Sequence, residues 1–215
     1  MSDADPKPHL LVFARVPIPG GVKTRLIPTL GEAGAARVYR HLLRDTLETC
    51  ARVPAVKREL WLDRATPDPE LNGIAERLGL SLHQQSGSDL GSRMQRAFID
   101  VFDRARNAVL IGSDCPEYDR DYIEAAFQVL RQHDAVLGPA ADGGYVLIGL
   151  KRTDASLFSD IPWGTADVLE ATRNRLRRLQ WTWLELDIKQ DVDEPQDLLL
   201  FPYLTGDRTD GPADC

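Results

Sequence analysis

Short unbroken apolar runs alternate along the chain with longer stretches in which apolar residues recur every three to four positions. Leu10–Ala14, Ala108–Gly112, Ala135–Pro139 and Val146–Leu150 are the clearest runs, joined by Glu59–Asp63, the short Ser81–Gln85 and the late Trp181–Leu186. Runs without polar alternation read as strands buried on both faces, the mark of a parallel sheet covered by helices. Between them, Glu32–Arg52 places Ala36, Tyr39, Leu42, Leu43, Leu47 and Cys50 on one stripe, and the stretch after Met94 does the same with Ala97, Phe98, Val101 and Phe102. Asp119–Gln132, a short segment ending near Gly79 and a basic segment running through Arg178 complete the helices. A helix start is predicted in Asp191–Leu198 from its acids and Pro195. Strands alternating with helices predict a three-layer α/β sandwich with a mostly parallel sheet, as one domain over residues 10–204. A flexible start (1–9) and a polar tail (205–215) flank it.

Charge and composition narrow the partners. A net charge of −7 over 215 residues argues against a nucleic-acid backbone as partner. No apolar segment reaches the roughly 20 residues of a membrane span and the polar start has no signal-peptide core, so a cytoplasmic location is expected. Cys50, Cys115 and Cys215 show neither disulfide nor zinc spacing. His83 has no companion at a metal-ligand spacing and reads as a strand-face residue.

The run Ala108–Gly112 ends in Ser113-Asp114-Cys115-Pro116. In open α/β sheets ligands bind at the carboxyl ends of strands, so Asp114 is placed to hold a divalent cation on a phosphate, or else to cap the next turn. Cys115 reads as a small buried residue more readily than as a nucleophile. After the first strand, Arg15 to Leu26 combines Gly20 and Gly21 with the cations Arg15, Lys23 and Arg25, on the edge that Asp114 shares. Glycines there admit close backbone approach and the cations neutralise phosphate charge. The spacing is neither a P-loop nor a dinucleotide fingerprint, and a solvated turn is the alternative. Asp89, Gly91 and Arg93 sit where a loop enters a helix: Asp89 is either an N-cap or, with Arg93, a contact to a base, ribose or phosphate. Asp142-Gly143-Gly144 is a tight-turn signal, or a place where backbone and carboxylate meet ligand hydroxyls. Trp163 is a further candidate for substrate contact. The basic face with Arg173, Arg175, Arg177 and Arg178 reads as solvated surface.

Four of these motifs together resemble the DUF2064 family: residues 19–26, Gly112–Pro116, the segment 142–150, and Asp191-Val192-Asp193-Glu194-Pro195-Gln196-Asp197-Leu198. The resemblance spans about residues 10 to 200. It implies a glycosyltransferase-like protein of the nucleotide-diphospho-sugar transferase superfamily, with relatives among molybdopterin and phospholactate nucleotidyltransferases. Asp114 is similar to the acid that holds a divalent metal on nucleotide phosphates, and the terminal motif to the one supplying a second acid, here Asp193 with Asp191 as the alternate. The loop at 19–25 departs from the usual nucleotidyltransferase loop, and Ser113-Asp114-Cys115 supplies one acid where glycosyltransferases carry two.

These readings make the chain a metal-dependent transferase of a nucleotide-activated sugar, with Mg²⁺ or Mn²⁺ on Asp114 and Asp193 and with Lys23 and Arg25 offsetting charge on the leaving diphosphate. The alternative is a nucleotidyltransferase that releases pyrophosphate; a second alternative is a non-catalytic nucleotide-binding module. The expected partners are a nucleotide or sugar nucleotide and a small acceptor.

Overall fold

A computed structural model describes residues 6–65 and 68–206. The outermost parts of the expected flexible start and polar tail, Cys215 among them, lie outside the described residues. Among the described residues seven strands form one sheet: β1 (His9–Ala14), β2 (Lys57–Leu62), β3 (Leu80–Gln84), β4 (Ala108–Gly112), β5 (Ala135–Pro139), β6 (Tyr145–Leu150) and β7 (Trp183–Glu185). Their spatial order is β3-β2-β1-β4-β6-β5-β7. β6 alone runs against its neighbours, antiparallel to both β4 and β5, and the other pairings are parallel.

The β1 sequence shows why the sheet is covered on both faces. Leu10, Val12 and Ala14 point into one apolar cluster, and Leu11 and Phe13 into the other. The first cluster is closed by α1 (Ile27–Ala51), α2 (Pro69–Arg77) and α4 (Arg120–Gln132), the second by α3 (Leu90–Phe102) and α5 (Val168–Arg178). This is the expected three-layer α/β sandwich, with the apolar stripe of each helix turned to the sheet. Among the described residues no helix is long and apolar enough to cross a membrane.

Two local expectations change. Helix α1 begins at Ile27, with a proline in its first turn, and breaks at Gly31, whose φ of 69° and ψ of 168° are not helical. The sequence-predicted start at Glu32 marks the far side of that break. Among the described residues no α-helix follows Pro195; short 3-10 turns at Asp197–Leu199 and Pro202–Thr205 stand in its place. Leu199 and Leu200 are 81% and 63% exposed, so no continuous apolar stripe extends the turn into a helix. On the basic face of α5, which stays at the surface, Arg173 meets Glu185 at 2.6 Å and Arg177 meets Glu170 at 2.9 Å.

Candidate functional site

Parallel register brings the carboxyl ends of β1 to β4 to one edge, with Ala14 beside Leu62, Leu62 beside Gln84 and Phe13 beside Gly112. A cleft of about 660 Å³ opens there. A second concavity of about 570 Å³, among Pro8, Val53, Asn107 and Phe127, lies at the opposite ends of the strands. The first is the candidate site, because the strand carboxyl ends are where ligands bind in sheets of this kind and where the charged residues converge.

β4 is followed by buried Ser113, whose hydroxyl bonds Tyr39 Oη at 2.7 Å. Tyr39 in turn accepts the backbone N–H of Arg15 at 2.8 Å, so the ends of β1 and β4 are tied through α1. Burial, helped by the charge of Asp114, pushes the Tyr39 phenol well above its ordinary range and keeps it neutral. Asp114 follows, next to a buried Cys115 whose thiol burial pushes up to about 12. Cys115 is therefore packing, not a nucleophile at neutral pH.

The loop after β1 delivers Lys23 to Asp114. Pro19 and Gly20 occupy the centre of a tight turn closed by Gly21 N–H donating to Ile18 O at 2.9 Å, and Gly20 has a φ of 77°. Only glycine takes that φ without strain at the third position of such a turn. Gly20 and Gly21 thus shape the loop, and the cleft wall comes from the residues after them. Lys23 itself is left-handed (φ 46°, ψ 46°), a strained conformation for a residue with a side chain and of a kind concentrated at functional sites. Its ammonium lies 3.1 Å from Asp114 Oδ2 and 3.9 Å from Asp193 Oδ1, with the side chain only 3% exposed. Arg25 holds the other face of Asp193, Nη1 to Oδ2 at 2.6 Å.

Asp193 reaches the site through a plug. Val192, fully buried against Leu26, Val38 and Leu42, donates its backbone N–H to Asp114 O at 3.0 Å. Asp191 and Asp193 flank that plug and both line the cleft. Asp193 caps no helix; instead its own backbone N–H (2.9 Å) and that of Glu194 (2.7 Å) donate back to Asp197 Oδ2. Burial and the charge of Asp142 raise the Asp191 carboxyl to about 6.

The remaining candidates divide. Arg15, Asp89 and Arg93 line the cleft. Asp89 is at the same time the N-cap of α3, accepting from Ser92 N at 2.8 Å, and that bond together with Ser88 lowers its carboxyl below the usual range. Gly91, Gly143, Gly144, Asp142 and Trp163 do not line it. A Cβ on Gly91 would lie 2.6 Å from the Trp163 indole nitrogen, and one on Gly143 2.3 Å from Ala166 O. Both glycines admit neighbouring protein, not a ligand. Asp142 closes the β5–β6 turn by accepting Gly144 N at 2.8 Å. Trp163 packs edge-on to Tyr145, a cleft residue, at 6.3 Å. Sequence reasoning missed Tyr39, Asp63 and Gln85. The latter two follow β2 and β3 at the same edge as Asp114, so the strand-end rule that found Asp114 also points to them.

The donor set suits a hard divalent cation. Asp114 and Asp193 already straddle one cationic group, and Asp114 Oδ1 is a buried acceptor with no hydrogen-bond partner. Among the described residues no three His, Cys, Asp or Glu side chains form a ready cage. Mg²⁺ needs only one or two carboxylates when water and phosphate complete its shell.

The comparisons with known proteins agree with this frame. A protein of Desulfovibrio desulfuricans G20, provisionally classed as a nucleotide-diphospho-sugar transferase, is 34% identical, with a TM-score of 0.83 over 94% of this chain and 89% of its own. The 3-phospho-D-glycerate guanylyltransferase of Phenylobacterium zucineum (strain HLK1) is 27% identical over 184 residues, 82% of each chain. Glucosyl-3-phosphoglycerate synthase of Mycobacterium tuberculosis, solved with Mn²⁺, UDP and glucosyl-3-phosphoglycerate, shares the fold at 11% identity (TM-score 0.56, 93% of this chain, 76% of its own). The model of DUF2064, described as uncharacterized protein conserved in bacteria, matches residues 46–165, more than half of the sequence, and the chain belongs to that family.

Proposed function

We propose that this protein is a metal-dependent nucleotidyltransferase that joins a nucleoside monophosphate to a small phosphorylated acid. The observation that carries the reading is Lys23 held between Asp114 and Asp193 at the carboxyl edge of the sheet, with Arg15 and Arg25 close by. Such a constellation handles the charge of a di- or triphosphate. Lys23 and Arg25 would draw negative charge off the departing pyrophosphate, and Asp114 and Asp193 would hold Mg²⁺ or Mn²⁺. When bound, the metal would neutralise phosphate charge and fix the orientation of the phosphates. An oxygen of the acceptor phosphate attacks the α-phosphorus, the bond from that phosphorus to the bridging oxygen breaks, and pyrophosphate leaves with the electron pair.

The guanylyltransferase relative supports this class and suggests GTP and a phosphorylated carboxylic acid as first substrates. Sugar transfer from a nucleotide sugar is the second reading, supported by the class of the Desulfovibrio protein. Ser113-Asp114-Cys115 supplies one acid where sugar transferases of this fold carry two, and the loop at 19–25 departs from the usual nucleotidyltransferase loop, so the guanylyltransferase relative is what favours the first reading. Incubation with GTP, Mg²⁺ and 3-phosphoglycerate, followed by mass spectrometry and a pyrophosphate assay, tests it. Pyrophosphate with a matching conjugate is expected; nucleoside diphosphate released from a nucleotide sugar, with no pyrophosphate from any triphosphate, would favour sugar transfer.

A further inference from the structure

Lys23 occupies the ground that the proposed metal needs. Its ammonium is 3.1 Å from Asp114 Oδ2 and 3.9 Å from Asp193 Oδ1, and Arg25 covers Asp193 Oδ2 from outside at 2.6 Å. Asp114 and Asp193 are each ion-paired already, so a bare divalent ion entering between them must first displace an ammonium out of a pocket in which the Lys23 side chain is only 3% exposed. A di- or triphosphate changes the balance, because it brings a new anionic partner for the ammonium. The lysine stem is flexible and its head is a point charge that accepts phosphate as readily as carboxylate.

We propose that Lys23 is a built-in counter-cation: it neutralises Asp114 and Asp193 until a ligand's phosphates draw it away, so that divalent metal enters with the nucleotide and not ahead of it. The proposal rests on the reading of the cleft as a nucleotide site. It gives the strained left-handed backbone at Lys23 a purpose, since that conformation turns the side chain inward to the acids instead of out along the loop.

The test uses the full chain and Mn²⁺ alone, followed by electron paramagnetic resonance, with GDP binding in EDTA measured separately by calorimetry. Lys23→Met is expected to bind Mn²⁺ at least about tenfold more tightly than wild type, a gain removed by adding Asp114→Asn, and to bind GDP without metal at least about tenfold more weakly. Lys23→Gln repeats both arms should the Met variant fail to fold. Equal Mn²⁺ affinity in wild type and variant overturns the proposal. So does a wild-type site tighter than about 10 µM for Mn²⁺ alone that Asp114→Asn abolishes, a result that needs no Lys23 variant. If neither GDP nor GTP binds wild type with or without Mn²⁺, the nucleotide reading falls and this proposal with it. If they bind and Lys23 is indifferent, only the counter-cation role falls.

Discussion

Val192 donates its backbone N–H to the carbonyl of Asp114 at 3.0 Å, joining the far end of the chain to the end of the central strand. That bond, with the Val192 side chain fully buried, helps to fix where Asp191 and Asp193 stand relative to Asp114. Truncating the plug should therefore loosen the site and the fold together. Val192→Ala is expected to lose about 2 kcal/mol of stability, within the usual range for a core truncation, as read from urea midpoints. Its Mn²⁺ affinity in the presence of GDP should fall as well, although no proposed ligand has been altered.

Asp197 acts on the site through backbone. Its carboxylate gathers the N–H groups of Asp193 and Glu194, which sets the direction of the Asp193 side chain. Asp197→Ala should cost about 1–3 kcal/mol, the usual loss for hydrogen bonds to a charged acceptor, and weaken nucleotide–metal binding. Asp197→Asn retains an accepting oxygen and should restore most of both. Failure of Asn to rescue would show that the charge, and not the positioning, is what matters.

The Asp191 carboxyl, raised to about 6 by burial and by Asp142, gives a pH signature. Its ordinary value is 3.8, so the folded protein holds this proton more tightly than the unfolded chain does. The contribution to stability is full below about 3.8, declines as pH rises to about 6 and stays lost above it. Carboxyl NMR of the metal-free protein should place the Asp191 midpoint near 6, and Asp142→Asn should move it down by removing a neighbouring negative charge. A midpoint unmoved by Asp142→Asn would rule out that coupling.

Glu59 gives the opposite slope. Burial alone would raise its carboxyl, but the hydrogen bond to His9, the charge of His83 and the Arg104 pair outweigh it and hold the carboxyl at about 2. His9 Nδ1 is 2.6 Å away, and Trp61 Nε1 donates at 2.9 Å. With a folded value below the ordinary 4.5, this stabilisation is complete above about 4.5 and is lost as pH falls through about 2. Glu59→Gln should cost roughly 3 kcal/mol at pH 7, as breaking a buried charged network does, and flatten acid unfolding between those values. An unchanged acid-unfolding curve would remove Glu59 from the account.

The parts of the site that were legible in sequence are those set by local pattern. Asp114 was found because an apolar run ending in an acid is read without tertiary information, and the parallel sheet follows from several such runs. Asp193 was found through a motif resemblance, and the carboxylate that organises its backbone, Asp197, was not singled out, because that contact depends on how the loop folds back on itself. The burial of Lys23 was not legible, because it depends on a left-handed turn and on two acids that come from other parts of the chain. Glycine misled for a related reason. Gly91 and Gly143 admit Trp163 and Ala166, and a sequence shows that room is needed without showing for whom.

In the proposed site Asp114 and Asp193 would share one cation, and the nucleotide's phosphates would take over the lysine between them. A crystal soaked with Mn²⁺ and GDP, with data collected at the manganese edge, tests it most directly. An anomalous peak within coordination distance of both carboxylates, with Lys23 Nζ turned to a phosphate oxygen, is the predicted result. A peak elsewhere, with Lys23 still seated on Asp114, would contradict it.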